Sequence, residues 1–115
     1  MTELEYIATL KSQWPQGVEA ASRELLSLAC LAVRDFPKSA RLWLMRGQLI
    51  WLSPDDYFFS ETDYVTSVLT AIELDPTLAE AYESLAGYYD GMKEDDEKAA
   101  EYYSKAAALR GEALD

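Results

Sequence analysis

The chain contains two registered copies of one pattern, and this repeat constrains its fold more than any other feature. When Pro37 is superimposed on Pro76, Ala32 falls on Ala71, Trp43 on Tyr82, Gly47 on Ala86 and Ile50 on Tyr89. Each copy places a bulky aromatic residue, a small residue four positions on, and a large apolar residue three beyond that. That order suits two helices in close contact: the small residue lets the backbones approach and the large ones fill the remaining gaps. A period between roughly 20 and 50 residues marks a stack of supersecondary units, each burying its apolar face against the next.

The unit is helical. Leu25, Ala29 and Ala32 follow i, i+4, i+7, widened by Leu26 and Val33. Val65, Val68, Leu69 and Ile72 keep the same rhythm, as do Ala99, Tyr102, Tyr103 and Ala106. Strand-type alternation over a useful length is absent, and Gly and Pro fall between the periodic segments. Thr2 with Glu5 forms a capping box for a short first helix, which Pro15-Gln16-Gly17 breaks. Further helices are expected at about 18–35, 39–52, 61–74, 78–91 and 96–110, with stops at Pro37, Pro54, Pro76, the turn after Gly91, and Gly111. At 115 residues, half of them hydrophobic, the chain supports one domain, 1–115. Its expected hairpins cover about 2–36, 39–75 and 78–110, followed by a tail at 111–115.

The third hairpin reads Tyr82-x₂-Leu85-Ala86-x₂-Tyr89, then Ala99-x₃-Tyr103-x₂-Ala106. The second reads Trp43-x₂-Arg46-Gly47-x₂-Ile50, then Tyr64-x₃-Val68-x₂-Ala71-x₄-Pro76. These segments resemble the tetratricopeptide repeat (TPR) family, whose helix–turn–helix unit has the pattern W-x₂-L-G-x₂-Y…A-x₃-F with a closing Pro. The second hairpin departs at Arg46 and Tyr64 and carries a surplus between its helices. Of the first hairpin only Leu25-x₃-Ala29-x₂-Ala32-x₄-Pro37 fits. The resemblance covers residues 20–110 and implies an all-α fold, a right-handed stack of three antiparallel helix hairpins with the first atypical.

Charge is distributed unevenly. The net charge is −11, yet residues 1–50 sum to +1 and residues 51–115 to −12. Such an imbalance argues against nucleic acid and anionic membranes as partners, since phosphate is held by clustered cations. It reads either as an acidic face or as a solvated surface. With no His, His-based triads and metal sites are excluded; a single Cys30 allows no internal disulfide, and no Asn is present for glycosylation. The segment 1–14 lacks the pattern of a signal peptide, and no apolar run approaches the length of a membrane span. A cytoplasmic protein is expected.

Chemistry-bearing motifs are absent: there is no P-loop, dinucleotide fingerprint or paired-cysteine motif. Cys30, between Ala29 and Leu31, reads as a buried inert thiol. The run Glu94-Asp95-Asp96-Glu97 does not match a calcium loop and reads as a cap, Asp95 or Asp96, for the last helix. No catalytic residue, metal or cofactor is expected, and the chain reads as non-enzymatic.

Recognition is the alternative. Arg41, Leu44, Gln48 and Trp51 share a helical stripe, and the positions aligned with them in the next copy are Glu80, Glu83, Gly87 and Asp90. The resemblance implies that these positions line a concave groove for an extended peptide or partner helix. Such a groove is apolar at Leu44 and Trp51 and acidic at Glu80, Glu83 and Asp90, suiting a basic segment with an apolar anchor. Leu44 and Trp51 read equally as core residues. The surplus at Ser53–Ser60 carries Tyr57 and Phe58, either a contact surface or a lid over the hairpin end. Two further functions fit the composition: a small acidic immunity or inhibitor protein for a basic toxin or nuclease, and a self-assembling scaffold, because no helix follows Gly111 and a homodimer could cover the last one.

Overall fold

The computed structural model describes residues 1–54 and 59–111. Six helices occupy them, with no strand among the described residues: α1 (Glu3–Ser12), α2 (Arg23–Asp35), α3 (Ala40–Trp51), α4 (Glu61–Leu74), α5 (Ala79–Gly91) and α6 (Asp96–Leu109). No helix among them is long and apolar enough to cross a membrane.

Local chemistry sets the boundaries. Thr2 accepts from the Glu5 N–H while Glu5 accepts from the Thr2 N–H, closing the capping box at α1. Ser60 and Asp63 form a second box at α4. Ser39 caps α3 through the Leu42 N–H, and Asp95 caps α6 through the Lys98 N–H at 3.1 Å. Leu78, the counterpart of Ser39, offers no side-chain cap to α5.

One boundary differs from expectation. Helix α2 begins at Arg23 rather than near residue 18. Gly17 adopts φ +57°, and the chain then runs non-helically to Ser22, whose hydroxyl accepts from the Leu25 N–H. Ala21 is buried, and its N–H donates to the Leu52 carbonyl at 2.9 Å. The segment is held by that long-range bond, and Val18 is fully exposed.

Each helix packs on its sequence neighbours, most extensively α3 on α4 and α5 on α6, while α1 rests on both α2 and α3. The core holds Leu10, Leu25, Ala29, Ala32, Leu42, Leu44, Leu49, Val68, Ala71, Ala81 and Leu85, with Tyr6, Tyr64 and Tyr88 at its edge. Gly47 marks a close approach of α3 to α4. A Cβ there would stand 3.1 Å from Val68 Cγ2 and 3.2 Å from Ser67 Cβ. The departure at Arg46 is accommodated by the same contact. Its guanidinium donates to the buried Ser67 hydroxyl and lies 5.6 Å from the ring centres of both Trp43 and Phe59.

Although α1 matches the repeat pattern poorly, it is tied in firmly. The Tyr6 hydroxyl donates to Asp35 Oδ2 at 2.6 Å, and the Ser39 hydroxyl donates to Glu3 Oε1 at 2.6 Å. Tyr6 also meets Phe36 edge to face at 6.0 Å.

The register that aligns Pro37 with Pro76 extends to hydrogen bonds. The Phe36 N–H donates to the Ala32 carbonyl at 2.8 Å, and the Asp75 N–H to that of Ala71 at 2.9 Å. The Ser39 N–H donates to the Phe36 carbonyl and the Leu78 N–H to that of Asp75. The Trp43 indole donates to the Pro37 carbonyl at 2.8 Å; its counterpart, the Tyr82 hydroxyl, donates to that of Pro76 at 3.1 Å. The aligned prolines thus follow one helix and anchor the aromatic residue of the next in both copies.

Candidate binding groove

Residues of α3 and α5 that share the repeat register face one groove of about 530 Å³, lined by Trp14, Gln48, Trp51, Leu52, Tyr64, Glu80, Glu83, Ser84 and Gly87. A smaller recess of about 220 Å³, lined by Lys11, Trp14, Arg41, Met45, Gln48 and Glu80, shares several of these residues.

The aromatic wall is built in layers. Trp51 is 45% exposed and lies against Tyr64, ring centres 4.9 Å apart, while Tyr64 is buried and meets Tyr88 at 5.9 Å. The Tyr64 hydroxyl donates to the Ser84 carbonyl at 2.8 Å, joining α4 to α5 beneath the groove. Burial pushes its pKa up to about 12, so Tyr64 stays neutral near pH 7 and serves as a fixed wall. Behind it the Tyr88 hydroxyl donates to Glu61, which also pairs with Lys93 at 2.7 Å. Lys93 foremost, and then Tyr88, hold the Glu61 carboxyl below the usual range.

The polar wall differs from the acidic surface anticipated. Arg41 Nη1 donates to Glu80 Oε2 at 3.0 Å and Nη2 to Oε1 at 3.4 Å. Glu83 pairs with Arg110 at 2.6 Å. Both groove acids therefore carry an internal cation, which reduces the field that the stripe alone would suggest. All four side chains stay between a third and half exposed, so the pairs face water. Pairs in that setting contribute about 1 kcal/mol or less.

Six stripe residues can thus be placed at or beside the groove: Gln48, Trp51, Glu80, Glu83 and Gly87 line it, and Arg41 closes one side through Glu80. Leu44 does not line it. With no exposed surface, Leu44 belongs to the core, because α3 is covered there by its neighbours. Asp90 is exposed and lies outside the lining. Tyr57 and Phe58 lie outside the described residues. Cys30 is half-buried rather than buried, and lines a cavity of about 550 Å³ with Arg23, Arg34 and Phe59.

Four lining residues, Trp14, Leu52, Tyr64 and Ser84, escape a reading of the sequence. Trp14 follows α1, where the repeat pattern fails; its signal is a lone tryptophan in an otherwise polar breaker segment. Tyr64 reads in sequence only as a departure from a small residue, yet its bulk forms the groove floor. Among the described residues no cluster of three or more His, Cys, Asp or Glu is placed to hold a metal ion. No protein-family model matches the chain, and no curated protein matches it in sequence.

Proposed function

We propose that the chain is a TPR-like stack of three helix hairpins, the first atypical, acting as a non-enzymatic interaction module. Its α3–α5 groove holds a segment of another protein, basic with an apolar anchor. The observation that carries this reading is the bidentate pair between Arg41 and Glu80. These residues occupy equivalent points of successive units, and they meet beside a groove walled by a half-exposed tryptophan. Equivalent residues in contact are what a stack of repeated units produces, and the elongated body of 43 × 29 × 24 Å accords with it.

An apolar anchor of the segment packs on Trp51, a residue type that often dominates binding when partly exposed on a concave surface. Its basic groups exchange with Arg41 and Arg110 for Glu80 and Glu83, at little cost because the internal pairs are solvent-facing. The −12 balance of residues 51–115 adds long-range attraction.

Affinity capture from the native source, followed by purification of the captured protein, supplies the test. Binding to the wild-type chain and to Trp51→Ala is then compared at low and high salt. At least a tenfold loss in Trp51→Ala, and weaker binding of the wild-type chain in high salt, is expected. Unchanged affinity of Trp51→Ala overturns the groove as the binding surface.

A further inference from the structure

Gly87 lies inside α5, where glycine is unfavourable relative to alanine because it leaves more backbone freedom to be lost. Such a residue usually answers a packing demand. Gly47 does so, since α4 leaves little room for a methyl group there. Gly87 does not: a Cβ at that position meets nothing within 4 Å, and the space it would take opens into the groove.

The surroundings of that gap have a definite chemistry. Glu83 and Glu80 precede Gly87 by one and two helical turns, so the three share one face of α5. The missing side chain therefore leaves a slot whose end carries two half-exposed carboxylates. Trp51 and Tyr64 line its aromatic side, and Trp14 lines the same groove. A long, thin, apolar stem ending in a planar cation matches each part. The stem passes over the glycine backbone against Trp51, and the head pairs with Glu83 in the forked manner Arg41 shows at Glu80.

Resting on the groove reading above, we propose that the Gly87 slot is a subsite for an arginine side chain of the bound segment. The guanidinium takes the place of Arg110 at Glu83. Lysine fits less well, because a point charge lacks the planar face for Trp51 and the fork for the carboxylate.

The full chain, labelled with nitrogen-15, tests this with four acetylated and amidated heptapeptides, Ala-Ala-Leu-Xaa-Leu-Ala-Ala, in which Xaa is Arg, Lys, citrulline or Leu. Citrulline keeps the shape of arginine without its charge. The indole N–H signals of Trp14 and Trp51 report the groove, and that of Trp43, bonded to the Pro37 carbonyl, serves as an internal reference. The Arg peptide is expected to shift the Trp14 and Trp51 signals and leave Trp43 unmoved, with citrulline and Leu binding at least fivefold more weakly. Gly87→Leu, which fills the slot from a helix-favouring residue, is expected to abolish the response while its helical circular dichroism and Trp43 signal stay unchanged. Equal affinity for all four peptides, lost in Trp51→Ala, overturns the arginine slot and leaves the groove standing. No shift of Trp14 or Trp51 with any peptide overturns both.

Discussion

Gly47 in α3 and Gly87 in α5 make a matched pair for one perturbation, replacement by alanine. At either position the methyl group gains about 0.5–1 kcal/mol by restricting the unfolded chain. At Gly87 nothing opposes that gain, so Gly87→Ala is expected to be more stable than wild type by that amount. At Gly47 the new Cβ meets Val68 Cγ2 at 3.1 Å and Ser67 Cβ at 3.2 Å. Neither neighbour yields easily. Val68 is a β-branched residue with a stiff χ1, and the Ser67 hydroxyl is bonded to both Arg46 and the Asp63 carbonyl. Overpacking of this kind costs about 1–3 kcal/mol. Because the propensity gain is common to both variants, it cancels in their difference, which reports the α3–α4 contact alone. Urea denaturation followed by circular dichroism should separate the two midpoints by about 1 M, given slopes of roughly 1–3 kcal/mol/M for small proteins. If Gly47→Ala is as stable as Gly87→Ala, the close approach of α3 to α4 is wrong.

Leu44→Ala should lose about 2–5 kcal/mol by thermal or urea unfolding, as a fully buried leucine does, with Trp51→Ala losing less because nearly half of its surface already faces water. A double-mutant cycle on Arg41→Ala and Glu80→Ala should give a coupling of about 0.2–1 kcal/mol; zero coupling at low salt would argue that successive units do not meet there. Stability should fall in acid, because the carboxyls of Glu5, Asp35, Glu61 and Asp75 are all held below their ordinary range, by Thr2, Tyr6, Lys93 and Thr77 respectively. Their contribution is complete above about pH 5, clear of the unfolded carboxyl values, and is lost as pH drops through the lowered folded values. Tyr64 has the opposite sign: its raised pKa of about 12 stabilises the folded state until pH climbs from about 10 through 12, so a pH series of melting curves should fall at both ends.

The legible parts of this fold are those fixed by local chemistry. The Thr2–Glu5 box, the prolines and the apolar rhythm announce the helices, and α4 runs over the residues expected. Sequence alone extends α2 too far because Glu19, Ala20 and Ala21 look like helix formers; what holds that segment out of the helix is the bond from Ala21 to Leu52, a residue at the far end of α3. The groove is half legible. Repeat register finds Gln48, Trp51, Glu80 and Glu83, whereas a stripe on one helix cannot tell that Leu44 turns into the core or that Asp90 stands outside the groove. Nor can it show that Arg110 reaches back from the end of α6 to Glu83, since that pairing depends on how α5 and α6 pack. In the sequence Gly87 is no more than the counterpart of Gln48; its meaning emerges once the space before it is known to be empty.

Site-specific photocrosslinking in the native host tests whether a partner docks in the α3–α5 groove. A photoreactive phenylalanine analogue is placed at Gln48, within the groove, or at Ser27, an exposed residue of α2 that lines a separate cavity. A discrete crosslinked partner is expected from position 48 and none from position 27. A partner captured from position 27 and absent from position 48 would contradict it.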